Sequence, residues 1–377
     1  MNPLDGVDPF KPSCDRSTMS LHHETLPPEL WLEIFEHLDE RSYTGIYAPF
    51  QPPAGAGDVM SAYPAVVLVC RNWHDWAISF LYRNVKFPDS DSIWADKHPE
   101  YGRWVRRVVI PDSTATEIIG HVSPTEMLCI CPNITVLVRR HPRPVKFDIN
   151  APCPLPSLKR LDWCSYGEDG SIHAFPAVLC AAPNLEYLSM QGYGRFWHYT
   201  AKKMRLLSLR TLHLGIVSVE LLQSVSQWSL PALDTLIMDV PLNMSLVWAA
   251  HGSHIETIEL GRENSFLHAR YLMCCLQNCP ALRKLNYYLF MTALPTEDAG
   301  SYPSVTFVGM HMAPDPELSR EEWGHLEQHI LTLAGGLFPN LLRLTFYGTP
   351  EQMLSDERSA VVLKPLTDRG CALEIVA

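Results

Sequence analysis

The amino-acid sequence predicts an α/β protein in which a small all-helical module precedes a larger solenoid, with parallel strands inside and helices outside. Two observations predict this architecture. A pair of amphipathic helical patterns occupies the first part of the chain, and a short aliphatic motif then recurs at nearly constant spacing. A chain of 377 residues is long enough for one large body and a smaller attachment.

The composition is that of a folded protein, with 47% hydrophobic and 19% charged residues. A formal net charge of -11 leaves no basic footprint, so we expect neither nucleic acid nor an anionic membrane surface as a partner. Residues 1–25 are polar and dotted with prolines, which predicts a flexible leader and not a signal peptide. The run Ala65–Cys70 is far shorter than the ~20 apolar residues of a membrane span. We therefore expect a cytoplasmic and/or nuclear protein.

Two helical patterns define the first module. In the segment that starts at Leu26, the apolar residues Leu30, Ile34, Phe35 and Leu38 recur at helical spacing, and Pro28 suits a first-turn position. A second stripe follows an apolar start at 66–69 and includes Trp73, Phe80 and Leu81. Periodicity alone also fits a helical hairpin that caps a larger core.

The two helical patterns are separated by a segment, 41–62, that is rich in glycine and proline. This composition predicts a long loop that forms no core. Lengthening a surface loop costs only ~0.6 kcal/mol per doubling of its length, so we expect the segment to be dispensable for folding.

The second region repeats a unit of an aliphatic residue, two variable residues, a second aliphatic, one variable residue and a third apolar residue. Nine copies begin at Ile134, Leu158, Leu185, Leu209, Leu233, Ile255, Leu282, Val305 and Leu341. All steps but the last lie within the window of about 20 to 29 residues that marks leucine-rich repeats. The last step, of 36 residues, contains an extra helical stretch over 318–337. Helix-like segments also lie between earlier copies, over 201–207, 219–228, 246–250 and 266–276.

Stacking of these units predicts a parallel sheet whose side chains alternate between the core and a concave face. Leu188 is predicted to be buried and its neighbour Tyr187 to be exposed, with Leu212 and His213 repeating the pattern. The candidate substrate-binding residues on the concave face are Arg160, Tyr187, His213, Asp239, Glu259, Lys284, His311, Arg343 and Tyr347. An ordinary solvated sheet face has the same pattern, and an α/β domain without repeats is the alternative fold.

The sequence does not organise a catalytic or metal-binding site. The eleven cysteines fit free thiols, because Cys129-x-Cys131 and the group Cys274, Cys275 and Cys279 lack the paired spacing of a zinc site. No nucleophile elbow, phosphate-binding loop or metalloprotease motif is present. We expect a non-catalytic protein without cofactor or metal.

The residues of the first module resemble the F-box, particularly its fungal form. The resemblance rests on Leu26-Pro27-x-Glu29-Leu30, then Ile34-Phe35-x-x-Leu38, then Leu68-Val69-Cys70-Arg71-x-Trp73, and finally Leu81-Tyr82-Arg83. It implies an F-box over 26–87 with a loop insertion at 41–62, followed by a repeat domain over 88–377. The adaptor-binding residues that it implies are Leu26, Pro27, Leu30, Ile34, Phe35, Leu38, Leu68, Val69, Trp73, Leu81 and Tyr82.

The irregular repeats are similar to the degenerate leucine-rich repeats found behind fungal F-boxes, and the ending at 369–374 is similar to their closing strand. Together the two resemblances imply the substrate-recognition subunit of an SCF-type cullin-RING ubiquitin ligase. Its partners would be the adaptor protein, a cullin held through the adaptor, and a protein substrate of unknown identity. The alternative is a leucine-rich-repeat scaffold that acts without a cullin ligase.

Overall fold

The computed structural model describes residues 26–37, 47–50, 63–86, 99–110, 128–139, 153–164, 174–192, 203–240, 244–262, 264–295, 300–312, 320–348 and 354–376. The chain divides into two compact units. The helical unit comprises Met1–Ser42 and Met60–Leu81, and the sheet unit comprises Tyr43–Val59 and Tyr82–Ala377. Residues 43–59 therefore belong to the sheet unit although they lie between two helices of the other unit in the sequence.

The described part of the helical unit contains α1 (Pro28–His37), α2 (Tyr63–Val66) and α3 (Arg71–Leu81). Its core combines aromatic and aliphatic side chains, and Phe35 of α1 is buried against Trp31 and Trp73, with ring centroids 6.0 and 5.4 Å away. The sequence places Leu30 and Ile34 on the apolar stripe of the first helix, but both are exposed. The packed side of α1 is the one that carries Trp31 and Phe35.

The sheet unit is built on parallel strands that pair in chain order, each with the strand before it and the strand after it. This arrangement is solenoid-like, and its register keeps equivalent repeat positions side by side, as in Leu188 opposite Leu212 and Leu212 opposite Leu236. The described strands are β1 (Asn84–Lys86), β2 (Arg107–Ile110), β3 (Val136–Arg139), β4 (Arg160–Cys164), β5 (Tyr187–Gly192), β6 (Thr211–Val217), β7 (Thr235–Met238), β8 (Thr257–Leu260), β9 (Lys284–Tyr288), β10 (Phe307–His311), β11 (Arg343–Tyr347) and β12 (Ala372–Val376).

Helices connect successive strands and pack on one face of the sheet. Those described are α4 (Ala174–Ala181), α5 (Val219–Ser226), α6 (Ser245–His251), α7 (Ala269–Asn278), α8 (Arg320–Ala334) and α9 (Glu357–Asp368). Their apolar residues share one core with the aliphatic repeat positions, among them Leu188 and Leu212, neither of which is exposed. The core prediction for these two leucines is therefore confirmed, and α8 matches the extra helix expected at the long step. The prediction of a helix over 201–207 is wrong for its described part, where Arg205 instead bridges to Ser229.

The asparagine of each Pro-Asn pair ties one repeat to the previous one. The side-chain amides of Asn133, Asn184 and Asn340 donate to the backbone oxygens of Arg103, Pro156 and Pro303, at 2.9, 2.9 and 3.0 Å. In each case the accepting residue lies two positions before the first aliphatic residue of the preceding unit. Val105 therefore begins a unit of its own, ahead of the nine copies read from the sequence.

Arg139 interrupts the aliphatic pattern of the first copy, and the structure shows how the core accommodates it. Its guanidinium lies 4.7 Å from the centroid of the Trp163 ring, a cation–π contact inside the core. Burial lowers the pKa of Arg139 to about 10, which still leaves it charged at neutral pH. Within the described residues, no helix is both long enough and apolar enough to cross a membrane.

Candidate binding face

The strand residues that alternate with the core positions form a second surface, which we call the open face. Strand side chains point alternately to opposite sides, so these residues lie away from the helices. Every member of the predicted concave-face set is on it: Arg160, Tyr187, His213, Asp239, Glu259, Lys284, His311, Arg343 and Tyr347. The side of the sheet was thus predicted correctly, but the surroundings of individual residues differ from the expectation.

The first cluster, on β4 and β5, buries three polar residues against one another. The Arg160 Nε donates to Asp162 Oδ2 at 3.0 Å, and the guanidinium lies 4.1 Å from the centroid of the Tyr187 ring. Tyr187 is only 5% exposed, so the prediction that it is a surface residue is wrong. The reason is that the neighbouring Arg160 side chain covers its ring. Burial, followed by the nearby charge of Asp162, raises the pKa of the Tyr187 hydroxyl well above its usual value.

The second cluster is a hydrogen-bonded row of a serine, a histidine and an aspartate on β5, β6 and the end of β7. His213 Nδ1 lies 3.0 Å from Ser189 Oγ, and His213 Nε2 lies 3.1 Å from Asp239 Oδ2. Burial lowers the pKa of His213, but the hydrogen bond and charge of Asp239, together with the charges of Asp162 and Glu259, outweigh it and raise the pKa. The Asp239 carboxylate accepts a hydrogen bond from Nε2–H, and Nδ1 pairs with the Ser189 hydroxyl.

This row contains the residue types of a hydrolase triad, which the sequence did not bring together. Ser189 is only 2% exposed, however, so its oxygen is shielded from a substrate in this conformation. A nucleophilic site requires a reachable nucleophile as well as an adjacent base. The geometry therefore favours a structural hydrogen-bonded row that holds three strands in register.

The third cluster includes residues 47–50, the described part of the predicted loop. The Tyr47 hydroxyl donates to Glu259 Oε2 at 2.7 Å and accepts from Asn286 Nδ2 at 2.8 Å. The Phe50 backbone N–H donates to the same Glu259 oxygen at 2.9 Å. Tyr47 and Phe50 are not part of the apolar core, but they pack on the open face, so this part of the segment is a docked turn and not a protruding loop. Loop composition predicts turns well, but it does not show where a turn docks.

The Phe50 ring enters a cleft of three aromatic side chains from consecutive strands β9, β10 and β11. Its centroid lies 5.1, 5.0 and 5.0 Å from those of Tyr288, His311 and Tyr347, in edge-on orientations that aromatic pairs favour. The Arg262 guanidinium lies 4.7 Å from the Tyr288 ring centroid. Burial and the charge of Arg262 lower the pKa of His311, which keeps this ring neutral near pH 7.

The sequence reasoning missed Tyr288, Tyr47 and Phe50. A signal for Tyr288 was present, since it occupies the same repeat position as His311 and Tyr347. Lys284 and Arg343 lie on the same face but are exposed and outside these clusters; Arg343 pairs with Glu374 at 3.4 Å.

The residues predicted to bind an adaptor divide into exposed and packed groups. Leu26, Pro27, Leu30, Ile34, Leu68 and Val69 are exposed, whereas Phe35 is buried and Trp73 and Leu81 are partly buried. Tyr82 belongs to the sheet unit, where its ring centroid lies 4.6 Å from that of Tyr101. Leu38 lies outside the described residues.

No group of three or more His, Cys, Asp or Glu residues with metal-site geometry occurs within the described ranges. Cys131 and Cys279 are buried, and burial raises the pKa of each thiol to about 12. Neither is a thiolate at neutral pH, which is the form that binds metals and attacks substrates.

Comparison with known proteins does not assign a family: no protein-family model matches the chain, and no curated protein matches it.

Proposed function

We propose that the chain is an F-box substrate-recognition subunit of an SCF-type cullin-RING ubiquitin ligase. In this proposal the helical unit binds the adaptor, and the open face of the sheet unit binds a protein substrate. The proposed family rests on the residue-level resemblance to the F-box, and the exposed apolar side chains of the helical unit are the observation that carries the proposal.

Those side chains are unusual for a soluble surface because they are aliphatic and close together in sequence. Leu26, Leu30 and Ile34 are 37%, 43% and 41% exposed, and they follow one another at intervals of four residues. Leu68 and Val69, in the turn before α3, are 82% and 59% exposed. Concentrations of exposed apolar side chains mark protein-interaction sites, whereas isolated ones need no explanation. Other residues, among them Phe35, Val67 and Phe80, form the core of this unit, so its exposed aliphatic side chains can contact a partner.

The open face supports the second half of the proposal. It presents aromatic, charged and amide groups on adjacent strands, a mixture typical of the energetically important parts of protein interfaces. The ligase would act by holding the substrate near the ubiquitin-charged enzyme, which raises the effective concentration of the reacting groups. The chain itself would supply no nucleophile.

Co-expression of the full chain with an F-box adaptor and its cullin tests the proposal. We expect the three proteins to co-purify. Changing Leu30 and Ile34 together to Ser should weaken adaptor binding by about tenfold or more, because apolar contacts near an interface centre dominate affinity. Changing Leu26 and Pro27 together to Ala should also weaken it.

A matched control uses exposed aliphatic residues of the sheet unit. Leu342 and Val361 are 65% and 74% exposed, and changing both to Ser should leave adaptor affinity unchanged. Adaptor binding that survives the Leu30 and Ile34 changes would contradict the assignment of the helical unit. A chain that binds adaptor but never recruits cullin would be a repeat scaffold and not a ligase subunit.

A further inference from the structure

The contacts of Tyr47–Phe50 resemble those of a bound peptide more than those of a connecting turn. The segment directs one hydroxyl and one backbone N–H to Glu259 Oε2 and places one aromatic ring in the cleft of Tyr288, His311 and Tyr347. The two hydrogen bonds join residues more than 200 positions apart in the sequence. The ring contacts residues on three separate strands. Backbone recognition combined with a side-chain pocket is a common mode of peptide binding.

The carboxylate of Glu259 is the polar centre of this site. Glu259 is 6% exposed, and the hydrogen bonds that described residues make to its Oε2 come from Tyr47 and Phe50. A buried carboxylate needs hydrogen-bond donors, because removing it from water without them is costly. Asn286 Oδ1 is also buried, and within the described ranges it has no hydrogen-bond partner. Among the described residues, the hydrogen bonds to Glu259 Oε2 thus come from the docked segment, whereas Asn286 Oδ1 stays unpartnered beside it.

The shape of the site is set partly by a missing side chain. A Cβ atom on Gly309 would lie 2.2 Å from Asn286 Oδ1 and 3.1 Å from Tyr347 Cε2. Glycine at this position therefore leaves room for the Asn286 amide, which reaches Tyr47, and for the Tyr347 ring. The segment also adapts to the site, since Phe50 has a φ of 58°, a conformation that residues with side chains rarely adopt.

We propose that Tyr47–Phe50 is an intramolecular occupant of a peptide-binding site on the open face. The same site would accept, from another protein, a segment with a tyrosine and an aromatic residue three positions later. The Tyr hydroxyl would bind Glu259 and Asn286, and the second ring would enter the cleft of Tyr288, His311 and Tyr347. The description of that external segment as a substrate rests on the proposed function, whereas the intramolecular occupancy does not.

A competition experiment tests the site with a labelled peptide of residues 45–52, Gly-Ile-Tyr-Ala-Pro-Phe-Gln-Pro. The full chain with Tyr47→Ala and Phe50→Ala has an empty site and should bind the peptide at least about tenfold more tightly than the wild type, in which the occupant competes. A control chain with Phe290→Ala and Tyr302→Ala loses two partly buried aromatic side chains that pack on the core, and it should bind like the wild type.

Two altered peptides examine the contact with Glu259. Replacing the peptide tyrosine with Phe removes the donated hydroxyl, and replacing it with phosphotyrosine brings about two negative charges to a carboxylate. Both should bind the emptied chain more weakly than the parent peptide. Equal affinity of the parent peptide for the wild-type and emptied chains, or no binding to either, would overturn the proposal. Equal binding of the phosphotyrosine peptide would overturn the assigned contact with Glu259.

If the chain with Tyr47→Ala and Phe50→Ala does not fold, a photo-crosslinking experiment tests the same site. The wild-type chain with p-benzoyl-phenylalanine in place of Phe50 should crosslink to peptides that contain Tyr288, His311 or Tyr347, at monomer mass. Crosslinks at dimer mass would show that a second copy provides the segment, and no crosslinks to these strands would show that the site is empty. Either result would overturn the proposal. A crosslink at monomer mass without adaptor binding would support the docked segment and contradict the ligase function. Adaptor binding without a crosslink would support the ligase function and contradict the docked segment.

Discussion

The two ends of the open face satisfy their buried polar groups in different ways. From β4 to β7, the polar contacts that the described residues make are among themselves: Arg160 pairs with Asp162 and covers Tyr187, and His213 joins Ser189 to Asp239. From β8 to β11, Glu259 and the aromatic cleft are completed by residues 47–50. Within the described ranges, the contacts of the first end are thus made by strand residues and by Asp239 at the end of β7. The second end is a site whose occupant comes from a distant part of the sequence.

The difference shows that alternation in a repeat protein assigns a side of the sheet without assigning exposure. His213 and Glu259 are both on the open face and both are buried. Ser189 and Asp239 hydrogen-bond to the first, and the docked segment hydrogen-bonds to the second. Mutations that compare the two ends should therefore separate stability from binding.

The largest effect should come from the core that both ends share. Leu188→Ala and Leu212→Ala should each cost about 2–5 kcal/mol of unfolding free energy, because they leave cavities in a close-packed interior. Denaturant melts of the full chain measure this cost. Values below those of the open-face variants would contradict the assignment of the core.

Tyr187→Ala should cost about 3 kcal/mol, close to a core truncation, because it removes a buried ring and the surface over which Arg160 lies. An exposed tyrosine would give a change of no more than roughly 0.5 kcal/mol. The same melts distinguish the two, and Lys284→Ala, at an exposed position on this face, is the matched control.

His213→Ala should cost about 1–3 kcal/mol, because it leaves the Ser189 and Asp239 groups without their shared partner. Ser189→Ala should cost about 1 kcal/mol, since it removes one of the two hydrogen bonds. If Ser189 were a nucleophile instead, its loss would abolish an activity while leaving the melting transition in place.

The His213 row should also give stability a pH dependence. The folded-state pKa of His213 is raised above its unfolded value of 6.5, so its protonation favours the folded state. That contribution is fully present below the unfolded pKa and is lost as pH rises through the folded pKa. The difference in unfolding free energy between the wild type and His213→Gln should therefore shrink as pH increases above 6.5. A difference that grows with pH would contradict the assigned direction.

The parallel sheet, its strand order and its core could be predicted from the sequence. The spacing of the aliphatic motif gives the repeat length, and the aliphatic positions within each copy show which strand side chains face the core. Two strands upstream of the nine copies were missed, although Val105-x-x-Val108-x-Ile110 has the repeated pattern and β1 precedes it. The docked segment could not be predicted in the same way. Tyr47 and Phe50 lie among glycines and prolines, and their contacts depend on positions more than 200 residues away. The burial of Tyr187 depends on the Arg160 side-chain conformation, which periodicity does not specify.

The most direct test of the difference between the two ends is a double-mutant cycle in which unfolding free energy is measured by denaturant melts. Tyr47→Phe and Glu259→Met should couple by about 1 kcal/mol, because the first change removes the donor and the second removes the acceptor of the same hydrogen bond. Tyr47→Phe and Ser189→Ala should add within about 0.5 kcal/mol, because Ser189 pairs with His213 and shares no partner with Tyr47. No coupling in the first pair, or equal coupling in both pairs, would contradict a docked segment that completes only the β8 to β11 end.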